Sequence, residues 1–261
     1  MKQVFSVLSM FMLSAMTIAC NPNETVFVRD YADARESFEG TGTKGNANTT
    51  NYSFRDFSSI SVSGVAVVTF TQGKDYSVRV VESPRIKTIV KLKGNTLDIS
   101  NESKKRHSLT LNKDQLPRVY VSAPRLSDID ISGVAYFTTK KLETGNLDVD
   151  ISGAAKVSLQ QVTCRDFDLD VSGAAKLEGS MKAQDADIDI SGAAKVNASI
   201  HGNSVKVDNS GAAKVQLDVD CKRLKADNSG AGKLNISGTA DEVKIEGSGV
   251  SKVNTSELNK I

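Results

Sequence analysis

Apolar and charged residues alternate strictly through the second half of the chain. Counted back from Gly133, the residues two, four and six places before it are Ile131, Ile129 and Ser127. The same places before Gly153 hold Ile151, Val149 and Leu147; before Gly173, Val171, Leu169 and Phe167; before Gly192, Ile190, Ile188 and Ala186. The places between them carry Asp128 and Asp130, Asp148 and Asp150, Asp168 and Asp170, Asp187 and Asp189. Beyond the glycine the alternation restarts, with Ala155, Val157 and Leu159 on one parity and Lys156 and Ser158 on the other. A period of two puts one set on each face of a strand, whereas a helix needs apolar residues three and four apart.

The pattern recurs. Its glycines are Gly133, Gly153, Gly173, Gly192, Gly211, Gly230 and Gly249, at steps of 20, 20, 19, 19, 19 and 19 residues, and one earlier copy stands apart at Ser63-Gly64. Self-similarity at this period marks a stacked architecture in which each repeat buries its apolar side against its neighbours. Two strands flank the glycine and a third short one fits the remainder, such as Val162 to Phe167. The glycine is expected to turn a corner whose backbone angles a Cβ would bar. The fold read from this pattern is all-β: a single-stranded, right-handed parallel β-helix with 19–20-residue rungs, the hand following from the rule for parallel crossovers. Seven rungs at the strand spacing make a rod on the order of 30 to 35 Å long.

From Phe54 to Arg125 the alternation is less regular, with strand-like runs at Ser77 to Val81, Thr96 to Ser100, Ser108 to Leu111 and Val119 to Ser122. Lys93-Gly94-Asn95 reads as a hairpin turn, and Lys104-Lys105-Arg106-His107 as an exposed loop. A stack needs its open end covered, so this region is expected to cap the same body. The division is therefore 54–255 for the β-helix, with 54–125 as the N-terminal cap, 126–255 as the regular repeats, and 256–261 as a C-terminal tail.

The first residues follow a different logic. Lys2, the short apolar run Val4 to Met16, and Ala19 before Cys20 have the layout of a secretory signal peptide over 1–19. Cys20 then reads as the lipid-bearing first residue of a lipoprotein; because Thr17 stands where such cleavage sites usually carry leucine, ordinary secretion with an incidental Cys20 is the alternative. Residues 20–53 read as a tether, rich in Gly, Thr, Asn and Ala over Thr41 to Asn51, with local structure allowed by Val26, Phe27, Val28 and Tyr31. The membrane is thus a partner through the N-terminal lipid, and the expected place is the cell envelope, as an outer-membrane lipoprotein on either the periplasmic or the surface-exposed face.

Net charge is +2 over 261 residues, which gives no reason to expect nucleic acid. Cys164 and Cys221 fall in equivalent columns three rungs apart, roughly 14 Å at the stacking distance, beyond disulfide reach. Both are expected to be free. The two histidines, His107 and His201, form no zinc pattern with cysteine. No cofactor and no metal is implied.

The run Ile60-Ser61-Val62-Ser63-Gly64-Val65, the Thr71-Gln72-Gly73 turn, Tyr76-Ser77-Val78, Leu97-Asp98-Ile99-Ser100 and the recurring Ser-Gly-Ala-Ala-Lys units together resemble the putative auto-transporter adhesin family, head GIN domain, over roughly residues 54 to 255. That resemblance implies a β-helical, secreted or lipid-anchored protein of the Bacteroidetes type. It carries over no catalytic residue.

Charge lies in columns. Lys156, Lys176, Lys195, Lys214, Lys233 and Lys252 stand three places after the repeat glycines, and Asp130, Asp150, Asp170, Asp189, Asp208, Asp227 and Glu246 three places before. A third column, five places before, changes sign from Asp128, Asp148, Asp168 and Asp187 to Lys206, Lys225 and Lys244. Like charges at stacking distance repel, so cross-column pairing or a counter-ion is expected. The lysine column is the candidate surface for an anionic polymer and the acidic column for calcium. Solvated faces that keep a rod soluble are the plainer account of both. Asn209 and Asn228 occupy inward places and predict a stacked amide ladder.

Rungs whose length varies by one residue leave no room for the long loops on which β-helical enzymes mount acids and bases. With no tryptophan, ring stacking on sugars is also disfavoured. The leading expectation is a non-enzymatic, envelope-anchored adhesin that binds an extended ligand such as a glycan, a matrix protein or an anionic polymer. A self-associating homo-oligomeric scaffold is the alternative, and a carbohydrate-active enzyme comes third.

Overall fold

The computed structural model describes residues 16–21, 24–29, 49–102, 109–248 and 251–260. They form twenty strands and one 3-10 turn, Lys113–Gln115. Shorter strands come first: β1 (Met16–Asn21), β2 (Glu24–Arg29), β3 (Thr49–Tyr52), β4 (Ser59–Val62), β5 (Val65–Gln72), β6 (Ser77–Val81), β7 (Thr88–Lys93), β8 (Thr96–Asn101), β9 (Leu109–Asn112), β10 (Arg118–Ala123), β11 (Asp128–Ile131), β12 (Val134–Thr139), β13 (Leu142–Glu143) and β14 (Asn146–Ile151). Longer strands that run round corners follow: β15 (Ala154–Val171), β16 (Ala174–Ile190), β17 (Ala193–Asn209), β18 (Lys214–Asn228), β19 (Lys233–Gly247) and β20 (Lys252–Lys260).

From β11 onward each turn pairs in parallel with the next, giving a parallel β-solenoid of about seven turns. The register stacks like on like. Ile129, Val149, Leu169, Ile188, Val207 and Ala226 form one inward file, and Val157, Leu177, Val196, Val215 and Leu234 another. All are buried, and each large aliphatic side chain removed from water contributes about 1.5–3 kcal/mol. The step from 20 to 19 residues is absorbed at one place, a register shift between Leu159 and Val162 of β15. Gln160 and Gln161 form that bulge, which adds a residue without turning the inward files outward.

The corner glycines act by close approach. An ideal Cβ on Gly153 would lie 2.2 Å from the carbonyl oxygen of Gly133, and one on Gly173 would lie 2.0 Å from that of Gly153. The stacking that causes this is itself hydrogen-bonded: Ala154 N donates to Gly133 O and Ala174 N to Gly153 O, each at 2.9 Å. The expectation of unusual backbone angles at these corners is corrected, because among the described glycines only Gly94 and Gly238 have positive φ.

The copy that stands apart in sequence is adjacent in space. β4 lies under β11, and β5 under β12, so Gly64 sits directly beneath Gly133. β8 then lies under β4 and β10 under β5. β6 turns antiparallel against β10 and β3 against β6, which closes this end. The expected hairpin is β7–β8, with Lys93 opposite Thr96 and Gly94 at φ 60. Side-chain amides stand in for absent backbone. Val65 N donates to Asn101 Oδ1, where higher corners use a glycine carbonyl. Gln72 accepts from Glu143 N at 2.8 Å and donates to Glu143 O at 2.7 Å. Ile86 and Leu116 cover the outer faces of the first two rungs, burying Val65, Val67, Val134 and Tyr136 in a second apolar cluster.

Strands fall across or within three of the segments read from the sequence. β3 lies inside the segment read as a flexible tether and is held by pairing with β6. β1 crosses the division after residue 19 and joins β2 and β9 in a separate three-stranded sheet. The stretch 256–261 is not a tail up to Lys260, because β20 remains paired with β19 as far as Ala240 opposite Lys260. Cys20 falls within β1. Most of the signal segment (1–15), much of the tether (30–48), and Lys104 to His107 lie outside the described residues.

Candidate functional site

The parallel register brings the six lysines into one file: Lys156, Lys176, Lys195, Lys214, Lys233 and Lys252 stand directly opposite one another on successive strands. The file is graded. Tyr136 and Val67 continue it at the capped end, buried under Ile86 and Leu116. Lys156 and Lys176 above them are half-buried. Burial, with the charges of Lys176 and Lys113 beside it, pushes the Lys156 ammonium below its ordinary pKa, and Lys113 itself sits 5.4 Å from the centre of the Tyr136 ring. Lys176 pairs with Glu178 at 2.6 Å. Lys195, Lys214, Lys233 and Lys252 are exposed.

A second file runs beside these four. Two residues further along each strand stand Asn197, Gln216, Asn235 and Asn254, paired in register on β17 to β20. The alternation points to the lysines and passes over these amides, although they recur five places after each late glycine. Together the two files line a groove of about 410 Å³ with Lys214, Lys233, Gln216, Asn235 and Asn254, and the carboxylates of Asp218 and Glu257 line it as well. Ammonium groups supply positive charge at each rung, and amides supply both donors and acceptors. An extended molecule bearing acidic groups and hydroxyls meets the same chemistry at every step of the stack.

The acidic columns are equally regular. Asp128, Asp148, Asp168 and Asp187 form one file and Asp130, Asp150, Asp170, Asp189, Asp208 and Asp227 its neighbour. Their lower end is met by hydroxyls: Ser59 Oγ donates to Asp128 at 2.8 Å and Ser61 Oγ to Asp130 at 3.0 Å. Their middle has no lysine in register. Desolvation, then the Asp128 and Asp168 charges, raises the pKa of Asp148; desolvation, then Asp187, raises that of Asp168. At the change of sign Lys206 closes the file, 3.0 Å from Asp187 and 2.9 Å from Asp208. Hydrogen bonds to Asp208 and Asp187 raise its pKa. Among the described residues no group of three or more His, Cys, Asp or Glu has a geometry that could hold a metal ion.

Asn209 and Asn228 point inward and are buried, with Asn209 Nδ2 donating to Asn228 Oδ1 at 2.7 Å. Asn228 Nδ2 in turn donates to the carbonyls of Gly232 and Lys252. The amide ladder is therefore structural. Cys164 and Cys221 are both free and buried. Burial pushes the Cys164 thiol up to about 11, which makes it a poor nucleophile.

One surface constellation has the residue types of a hydrolytic triad. Ser199 Oγ is 3.4 Å from His201 Nε2, and His201 Nδ1 is 3.4 Å from Asp220. The histidine and aspartate side chains are 47% and 69% exposed. Water competes for both contacts, and nothing dry holds the imidazole in place as catalysis requires.

The molecule is thus a parallel β-solenoid whose distinctive chemistry lies on open faces. The family model described as "Putative auto-transporter adhesin, head GIN domain" matches residues 56–200 and 196–260. This chain belongs to that family, which is consistent with a surface or envelope protein. Among solved structures, a putative adhesin from Bacteroides fragilis is similar at 24% identity and TM-score 0.69, over 80% of this chain and 96% of its own. A putative adhesin from Parabacteroides merdae matches at 15% identity and TM-score 0.55, covering 81% and 97%. A structure from Parabacteroides distasonis described as a putative lipid binding protein matches at 16% and 0.51, covering 81% and 97%. At these identities the likeness is one of fold. No curated protein matches the sequence. Among the described residues no helix is long and apolar enough to cross a membrane.

Proposed function

We propose that this chain is a non-enzymatic adhesin head, held to the cell envelope by a lipid on Cys20, whose lysine and amide stripe binds an extended anionic polymer. Acidic glycan is the ligand class that fits. The observation that carries the reading is the groove on the late rungs, where Lys214 and Lys233 stand beside Gln216, Asn235 and Asn254 in register. A polymer lying along the rod meets one ammonium and one amide at each rung, and repeated weak contacts add into useful affinity. Lys195 and Lys252 extend the same file on either side. Lys156 and Lys176 stand at its shielded end and contribute less.

The acidic column takes no ligand in this reading. Asp150, Asp170, Asp189, Asp208 and Asp227 form a solvated face that disfavours side-on contact with like faces. His201 and Asp220 stand open to water beside Ser199, which supports a binding role over a catalytic one for this face. The test is retention of the full chain on polygalacturonate and on dextran sulfate, with neutral dextran as control. Binding to both acidic polymers and not to dextran is expected. Equal retention on dextran contradicts the charge-based reading.

A further inference from the structure

We infer that Asn228, pinned by Asn209, is a positioning residue for the lysine stripe: its buried carboxamide fixes the backbone from which Lys233 and Lys252 project. That role rests on the polymer binding proposed above and places its control inside the rod. In the column two places before each glycine, Ile131, Ile151, Val171 and Ile190 stack in register and are buried. Asn209 and Asn228 continue the same column at 1% and 0% exposure. Both amides therefore lie out of a ligand's reach.

The corner changes with them. β15, β16 and β17 start at Ala154, Ala174 and Ala193, directly after the glycine, whereas β18 and β19 start two residues later, at Lys214 and Lys233. Both lysines that line the groove thus open their strands. Asn209 Nδ2 donates to Asn228 Oδ1 at 2.7 Å, and Asn228 Nδ2 donates to the carbonyls of Gly232 and Lys252, each at 3.3 Å. The first carbonyl belongs to the peptide leading into Lys233, and it also accepts from Lys252 N at 3.1 Å. The second belongs to Lys252 itself. Gly232 completes the set: it stands where earlier rungs hold Ala155, Ala175 and Ala194, and an ideal Cβ there would lie 2.2 Å from Asn209 Nδ2.

Stability alone does not call for this arrangement. A buried amide costs free energy unless bonded, and Asn209 Oδ1 has no hydrogen-bond partner among the described residues. Val or Ile in both places, as in the rungs below, would exchange the bonded pair for apolar contact at little net loss. An aliphatic pair would supply no donor for the Gly232 and Lys252 carbonyls, the groups that hold two successive lysines of the stripe in register. An ammonium on a long flexible stem binds best when the backbone beneath it is fixed, because less freedom is lost on contact.

The test compares the full chain with a variant carrying Asn209→Val and Asn228→Val, and with Gly232→Ala, which keeps both amides but drives a Cβ toward Asn209 Nδ2. Titration with polygalacturonate, well below the melting temperature, is expected to show affinity weakened roughly tenfold in both variants, with far-UV circular dichroism unchanged. Pulse acetylation without polymer, read residue by residue by mass spectrometry, is expected to shift the labelling rates of Lys233 and Lys252 and to leave that of Lys140 as it is. A ladder that only stabilises the fold moves neither reading in a folded variant. Unchanged labelling of Lys233 and Lys252 overturns the proposal, and so does wild-type affinity in a folded variant. If the Val pair does not fold, Gly232→Ala decides by the same two readings. A wild type that ignores polygalacturonate contradicts the binding role instead, and the labelling rates then decide the positioning alone.

Discussion

The closed N-terminal end and the regular rungs solve the same problem in opposite ways. In the rungs each backbone group meets its equivalent one turn away, so a few columns of Val, Ile, Leu and Ala suffice and one glycine per turn permits the approach. At the closed end there is no equivalent turn below. Single residues replace it: Asn101 supplies the missing carbonyl, Gln72 bonds Glu143 as a strand would, and Tyr52, Phe54, Phe57 and Tyr76 pack in stacked and edge-on pairs. Repetition makes a fold easy to propagate, and terminating it calls for unique chemistry.

The comparison breaks most sharply at the glycines. Gly173→Ala drives a Cβ into the Gly153 carbonyl and should destabilise by on the order of 3 kcal/mol or more. Gly145→Ala, where a Cβ meets nothing within 4 Å, should stay within about 0.5 kcal/mol. Urea unfolding compares the two, and equal losses would contradict close approach as the reason for the column.

A smaller loss is expected at the unique contacts. Asn101→Ala leaves the Val65 N–H without its acceptor and should cost about 1–3 kcal/mol. Asn228→Ala removes the partner of buried Asn209 Nδ2 and belongs in the same range. Thermal unfolding of both variants tests whether a singular amide at the closed end matters as much as a stacked one within the rungs.

The acidic files give a pH dependence peculiar to the rungs. Asp148, Asp150, Asp168 and Asp189 have folded-state pKa values above the ordinary carboxylate value, with desolvation the leading cause of each. The folded chain therefore binds protons more readily than the unfolded one. These residues lower stability when all are ionised, and stability returns as pH falls from neutral through the raised folded values. The melting temperature should rise on mild acidification, and a variant carrying both Asp148→Asn and Asp168→Asn should flatten that rise. An unchanged slope in the variant would show that the files do not set the dependence. Smallest of all is Lys206→Gln, expected to cost under about 1 kcal/mol because the ammonium is part-exposed, with the difference shrinking in high salt.

Legibility in the sequence followed the same division. Period-two alternation and the glycine step define the solenoid, its inward files and its charged columns, because each is stated several times over. The amide file of Asn197, Gln216, Asn235 and Asn254 is also periodic, yet it carries no charge and breaks no alternation, so nothing marks it until the fold sets it beside the lysines. Asn101 and Gln72 occur once each, and their partners lie 36 and 71 residues away in sequence, which no local pattern encodes. The shielding of Lys156 depends likewise on a segment placed over it by the tertiary fold. Proximity of Gly64 to Gly133 becomes visible only when the intervening cap is folded away from the stack.

The central claim is that the exposed stripe, and not the net charge of the rod, binds anionic polymer. Titrating the full chain with polygalacturonate, beside a variant with Lys195, Lys214, Lys233 and Lys252 all changed to Gln, tests it most directly, provided a second variant changes Lys74, Lys91, Lys140 and Lys222 to Gln as a charge-matched control. The account predicts that affinity is lost in the first variant and kept in the second. Equal weakening in both would contradict it.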